Sequence, residues 1–343
     1  MLAFALTIFA GAFLLFAVQP LIAKFILPWF GGSPGVWTTC MLFFQVLLLA
    51  GYAYAHVVSR YLRPRAQAAI HVVLLFVATL LLPITPASGW KPVTGAAPET
   101  RILLLLTACV GVQALVLAST GPLVQNWFSR ARPGRSPYRL YALSNLGSLL
   151  ALVSYPFVVE PNLPRVDQAR LWSIGFAAFV VFSAVSAFLV WRAGMTAARA
   201  APDPVHARSS TNVPQVTSRI LWFLLPACAC VLLLATTNQI CVNVAVVPFL
   251  WILPLGLYLL SFILAFSGAG WYPRVAYGVL LPVGVAGVWA LLEYAPSIVV
   301  QVAGYSAVLF ICCMVCHGEL VRLKPDPADL TSFYLMIAAG GAA

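Results

Sequence analysis

The chain has 343 residues, 62% of them hydrophobic and 8% charged, with a formal net charge of +11 and a mean hydropathy of +0.98. Soluble domains carry about 25% charged residues, so these values exclude a soluble globular protein and leave no room for a large soluble domain. The arginines sit in short loops between apolar runs without interleaved aromatic residues, which marks topology and not nucleic-acid binding.

A bilayer span needs ~20 apolar residues, so about ten or eleven helices fit this chain. In chain order, spans are predicted over residues 2–25, 36–57, 68–82, 102–123, 140–158, 171–191, 220–235, 246–266, 275–292 and 298–316, with a last segment from Leu330. The first span lacks a basic leading region and an A-x-A site, so it is read as a retained helix and not a cleaved signal.

Loop charge alternates. Arg60, Arg63 and Arg65 follow the second span, Arg130, Arg132, Arg135 and Arg139 the fourth, and Arg192, Arg199, Arg208 and Arg219 the sixth. Arg274 follows the eighth, and Arg322 with Lys324 the tenth. The opposite loops mix Lys91, Arg101, Arg165 and Arg170 with Glu99, Glu160, Asp167 and Glu293. Positive loops stay in the cytoplasm, so the amino terminus is expected to be cytoplasmic.

Residues 192–219 are rich in Ala, Ser, Thr and Pro and read as a cytoplasmic linker between a six-helix bundle at 1–191 and a second bundle at 220–343. A repeat supports that division. The stretch from Thr120 (TGPLVQNWFSRARPGRSPYRLYALSNLGSLLA) resembles that from Cys316 (CHGELVRLKPDPADLTSFYLMIAAGGA). Gly121 matches Gly318, Tyr141 matches Tyr334 and Gly147 matches Gly340. The predicted fold class is therefore an all-α polytopic membrane protein resembling major facilitators, with two parallel repeats. The second bundle is incomplete by about one and a half helices relative to such a repeat.

Four blocks carry a further resemblance: residues 16–56 (FAVQPLIAKFILPWFGGSPGVWTTCMLFFQVLLLAGYAYAH), 143–161 (LSNLGSLLALVSYPFVVEP), 236–266 (TTNQICVNVAVVPFLWILPLGLYLLSFILAF) and the stretch from Cys316. Together they resemble the membrane portion of the fused major-facilitator/spermidine-synthase family of bacteria. The resemblance implies a bacterial inner membrane, a cytoplasmic spermidine-synthase-like domain as partner, and a polyamine or related amine metabolite as solute. The chain departs from the family by ending at Ala343 inside a predicted helix, and it lacks the Gly-rich loop and acidic residues of the synthase. Aminopropyl transfer is therefore not carried over, and no enzyme, cofactor or metal site is expected. Two other readings stay open: a non-transporting membrane anchor, and a fragment of a longer fusion.

Polar residues at membrane depth nominate the site, because they are costly there and face cavities or other helices. Gln19 and Lys24 flank Pro20 on the first helix, where Pro20 would free a carbonyl, with snorkelling of Lys24 as the plainer account. Trp37, Thr38 and Gln45 lie on the second helix, and Thr38, Gln45 and Tyr52 recur every seven residues on one face. Asn145 lies on the fifth. The polar run Thr237, Asn238 and Gln239 follows a short seventh span and reads either as a broken helix at a cavity or as an ordinary loop. His56, His317 and Glu319 are the candidates for proton coupling. The string Cys313–Cys316–His317 matches a haem-attachment spacing, but it falls on the cytoplasmic side; the cysteines read as packing residues.

Overall fold

Proline marks where several helices begin: Pro34, Pro64 and Pro98 each stand first in their helix, where a missing N–H leaves no bond unmade. The computed structural model describes residues 1–31, 34–91, 98–132, 134–199, 216–244, 250–294 and 296–343. Among them there is no strand. The helices are α1 (Leu2–Phe30), α2 (Pro34–Tyr61), α3 (Pro64–Leu80), α4 (Pro98–Ala131), α5 (Tyr138–Asn162) and α6 (Arg165–Arg199). Then follow α7 (Val216–Asn238), α8 (Ile252–Ser267), α9 (Arg274–Tyr294), α10 (Ile298–Arg322) and α11 (Leu330–Ala342).

Each predicted span therefore has its helix. Eight are long and apolar enough to cross a bilayer, while α3 and α8 are shorter apolar helices. Val72, Val73 and Phe76 on α3 and Val275, Val279 and Val283 on α9 are exposed. So much exposed apolar surface suits lipid and not water.

The bounds differ from expectation where polar ends remain helical. α4 runs on to Ala131 and carries Arg130, and α6 continues to Arg199. Residues 192–199, assigned to the linker, are thus helical, as their alanines favour. α7 begins at Val216 and not at residue 220; residues 200–215 lie outside the described residues. The eighth span was set from residue 246, but α8 starts at Ile252, with 245–249 outside the described residues.

Local irregularities have identifiable causes. α1 ends at Gly31, whose φ of 86° suits glycine, and whose N–H bonds back to Leu27 O. α5 widens into a π turn at Tyr155–Val159, where Pro156 removes one helical donor. α7 is continued by a π turn at Gln239–Val244. The polar run there is helical, not a loop.

Helix packing repeats through the chain. α1 packs on α5 and α4, α2 on α4, and α3 on α4; correspondingly α7 packs on α11 and α10, α8 on α10, and α9 on α10. The first-half pairs α1–α6 and α3–α6 pack as well. Between the halves the principal contacts are α5 with α8 and α2 with α11, a symmetric pair under the same correspondence.

Two glycines set the closest approaches to the backbone of another helix. A Cβ on Gly147 of α5 would lie 2.7 Å from Phe9 O of α1. At the matching Gly340 of α11, a Cβ would collide with Phe223 O of α7. The same backbone contact is built twice, once in each half, by the residue type that permits it.

Hydrogen bonds identify the two ends of the bundle. Arg135 on the α4–α5 connection reaches Met1, Arg130 donates to Ser59 O at the end of α2, and Trp222 Nε1 donates to Leu323 O at 2.9 Å. These contacts gather the arginine-rich loops at one end. At the opposite end Lys24 pairs with Glu160 at 2.8 Å and Arg165 donates to Lys24 O at 3.1 Å, tying together α1, α5 and α6.

Candidate solute cavity

A cavity of about 210 Å³ lies between the halves. The first half contributes Gln45 and Tyr52 from α2, Thr120 from α4, and Tyr141, Ser144, Asn145 and Ser148 from α5. The second half contributes Cys230 from α7, Tyr258 and Phe262 from α8, and Ile337, Ala338 and Gly341 from α11. No Asp, Glu, Lys, Arg or His is among the described residues of the lining.

The α5 wall follows from helical spacing. Tyr141, Ser144, Asn145 and Ser148 are three, four and seven apart and share one face, while Gly147 turns to α1. Asn145 Nδ2 donates to Tyr141 O at 2.9 Å and Thr120 Oγ1 to Val116 O at 2.7 Å, so part of their capacity is used within their own helices. Gln45, Ser144 and Ser148 make no side-chain hydrogen bond among the described residues. On the other wall, Cys230 Sγ and Tyr258 Oη are 3.3 Å apart.

An aromatic seam closes the space between the cavity and the arginine-rich end. The rings of Tyr141 and Tyr334 stack across the two halves at 4.8 Å with 13° between planes. Phe262 and Phe266 pack against Tyr141 at 5.6 and 4.6 Å, and Tyr138 meets Phe333 and Tyr334. Polar contacts reinforce it: Tyr334 Oη donates to Gln125 Oε1 at 2.7 Å, His56 Nδ1 lies 3.0 Å from Thr331 Oγ1, and Tyr138 Oη donates to Pro325 O. Lys324 sits over the Tyr138 ring at 5.3 Å.

The structure superposes on the proton:xylose symporter XylE, of the major facilitator superfamily, bound to 6-bromo-6-deoxy-D-glucose. The TM-score is 0.59 and the identity 12%, over 99% of this chain and 86% of that one. The fold is major-facilitator-like. A XylE variant with two introduced tryptophans gives a TM-score of 0.51 at 13% identity, over 98% and 85% of the two chains. No protein-family model and no curated protein matches the sequence. At these identities the likeness is one of fold: a multi-pass, helical membrane protein with major-facilitator packing.

Within that major-facilitator-like fold, two residues nominated from the sequence, Gln45 and Asn145, line the cavity. The others stand elsewhere. Gln19 turns its amide back to Leu15 O at 3.3 Å, and Lys24 is held by Glu160 at the far end of α1. Thr38 is exposed near the start of α2, one helical stretch beyond Gln45 on the expected seven-residue face. The Trp37 side chain lies outside the described residues. Thr237 Oγ1 donates to Leu233 O at 2.7 Å, Asn238 is exposed, and Gln239 donates to Tyr305 Oη at 3.4 Å. These three are absent from the lining: α7 continues past them as helix, with Thr237 bonded to its own backbone, Gln239 to α10 and Asn238 exposed.

The proton-coupling candidates separate as well. His56 lies in the seam between α2 and α11. His317 is fully buried one layer behind the lining, with its ring 3.5 Å from that of Phe262, Nδ1 2.8 Å from Ser261 Oγ and Nε2 without a partner among the described residues. Glu319 pairs with Arg274 at 2.9 Å and accepts from Tyr272 Oη at 3.0 Å, away from the cavity. Burial, and then the bond to Glu319, push the Tyr272 hydroxyl up to about 12, keeping it a donor.

Sequence reasoning did not nominate Tyr258 and Phe262, which lie in an apolar run with no local signal. Tyr141 left one: it was the tyrosine matched with Tyr334 in the repeat. His71, also not nominated, is buried beside Tyr54 and Trp127, and neither of its ring nitrogens has a hydrogen-bond partner among the described residues.

Proposed function

We propose that the chain is a membrane transport module that takes a small solute into the cavity between its halves and exposes it alternately to the two membrane faces. The observation that carries this reading is the position of the cavity: both halves line it, at the junction of the symmetric α5–α8 and α2–α11 contacts. The seam of Tyr141, Tyr334, Phe262 and Phe266 is the part that must separate for the cavity to reach the arginine-rich end. The positive loops support a cytoplasmic assignment of that end, with the amino terminus inside, and the family resemblance supports a bacterial inner membrane.

On this reading the moving bodies are the bundle that ends with α6 and the bundle that begins with α7. His317 is the proton-coupling candidate in contact with the lining, through Phe262, and His56 is the one that the seam itself would expose. The resemblance also offers a polyamine as solute and a cytoplasmic synthase-like domain as partner. The tyrosine rings of the cavity could face an ammonium group, but no carboxylate accompanies them in the described lining.

Opening of the seam can be measured without knowing the solute. In proteoliposomes, Thr331→Cys should react slowly with a membrane-impermeant maleimide from the cytoplasmic side, with modification mapped by peptide mass spectrometry. Prying at the seam through Gln125→Ala should raise that rate. A folded chain in which position 331 stays unreactive in both forms would favour a static anchor.

A further inference from the structure

The walls of the cavity formed by α5 and α11 occupy equivalent positions of the repeat and differ sharply in chemistry. Gly147 and Gly340 make the same backbone approach, and Tyr141 and Tyr334 stack on each other across the seam. Counting from these anchors, Ser144, Asn145 and Ser148 on α5 correspond to Ile337, Ala338 and Gly341 on α11, and all six line the cavity. One wall offers hydroxyls and an amide; its counterpart offers hydrocarbon and backbone hidden in a helix.

We infer that the solute is uncharged and two-faced, with hydrogen-bonding groups along the edge that meets α2 and α5 and an apolar face that meets α11 together with Leu259 and Phe262 of α8. This inference rests on the reading of the cavity as a transport site. The absence of charge in the described lining disfavours any ion, because a desolvated charge needs an opposite charge or several strong dipoles around it. A linear polyamine would bring two or more such charges into the same space, and tyrosine faces replace only part of the lost hydration.

The polar wall is positioned for a neutral partner. Gln45, Ser144 and Ser148 have side-chain groups unmatched among the described residues, so a ligand or water must satisfy them. An amide and two hydroxyls both donate and accept, which suits hydroxyl or amide groups on the solute. Opposite them, Ile337, Leu259 and Phe262 can satisfy no hydroxyl, and the Tyr258 hydroxyl on that side lies 3.3 Å from Cys230 Sγ. A solute that is polar all round would bury unpaired groups there, and a site discriminates strongly against that. The volume of about 210 Å³ lies below the range of drug-sized pockets. A single small ring or a short chain fills it.

Three probes of similar size separate the possibilities: cis-1,2-cyclohexanediol, with both hydroxyls on one edge; myo-inositol, hydroxylated all round; and putrescine, a dication. Equilibrium binding of each to the purified full-length chain should rank the diol first, with putrescine at least ten-fold weaker. Asn145→Leu should weaken the diol about ten-fold or more. Ile337→Asn should weaken the diol while improving inositol, an exchange that a merely destabilised protein would not show; thermal midpoints of both variants verify folding. Putrescine or inositol binding more tightly than the diol in the parent chain overturns the inference. If none of the three binds while Thr331→Cys labelling shows the seam opening, the solute class is wrong and the transport reading stands. If position 331 is also inert, both fall together.

Discussion

α5 and α11 share a backbone role and diverge in what they show the cavity. Each lays a glycine on the backbone of the first helix of its half, Gly147 against Phe9 and Gly340 against Phe223, and each contributes a tyrosine to the seam. Between those anchors α5 is polar and α11 apolar. Positions that set helix-to-helix distance tolerate one residue type, because any side chain would enter another backbone. Positions facing open volume are free to differ, and there the two repeats have acquired separate chemistry.

The largest expected effect comes from breaking what the two helices have in common. Gly340→Val or Gly147→Val forces apart helices in backbone contact, which should lower stability by about 3 kcal/mol or more, read as loss of monodisperse protein and of the thermal midpoint in detergent. Gly121→Ala is the contrast: nothing lies within 4 Å of the added Cβ, and the helical preference of alanine over glycine predicts a gain of roughly 0.5–1 kcal/mol.

Next in size is the seam. Tyr334→Phe removes the donor to the buried Gln125 Oε1 and should destabilise by about 1–3 kcal/mol, while speeding maleimide reaction at Thr331→Cys. Unchanged reactivity would separate this bond from seam opening. Exchanging the walls with Ser144→Ile together with Ile337→Ser moves one methyl-rich and one hydroxyl side chain between equivalent positions of the cavity lining. Because Ile337 is buried beside Phe333 and Tyr334, the exchange should lower stability by about 2 kcal/mol, while altering the order of the three probes. The smallest effect is expected at the far end. Lys24→Ala breaks a partly exposed pair with Glu160 and should cost below about 1 kcal/mol, fading as salt rises.

Several features were legible in the sequence for definite reasons. Apolar runs and loop arginines report the water–lipid boundary directly, so each predicted span has a helix, with ends displaced only where Ala-rich or Arg-tipped segments continue beyond the apolar slab, as at Arg130 and Arg199. The matches Gly147–Gly340 and Tyr141–Tyr334 were visible as identities, and they proved to be matched helix crossings and a stacked pair. Asn145 and Gln45, nominated because polar residues at membrane depth need a reason, line the cavity. Gln19 and Thr237, nominated by the same rule, donate to carbonyls four residues back, an outcome that spacing along one helix does not reveal. Lys24 found its partner on another helix, at Glu160.

By itself the sequence determined a multi-pass helical membrane protein, its span order and an internal repeat, because hydropathy and loop charge are properties of each segment against its solvent. Only the tertiary structure decided which polar residues share a space. The cavity depends on which faces of α2, α4, α5, α7, α8 and α11 turn toward one another, and that is set by long-range contacts such as Gly147 on Phe9 O and Tyr141 on Tyr334, between residues far apart in the chain.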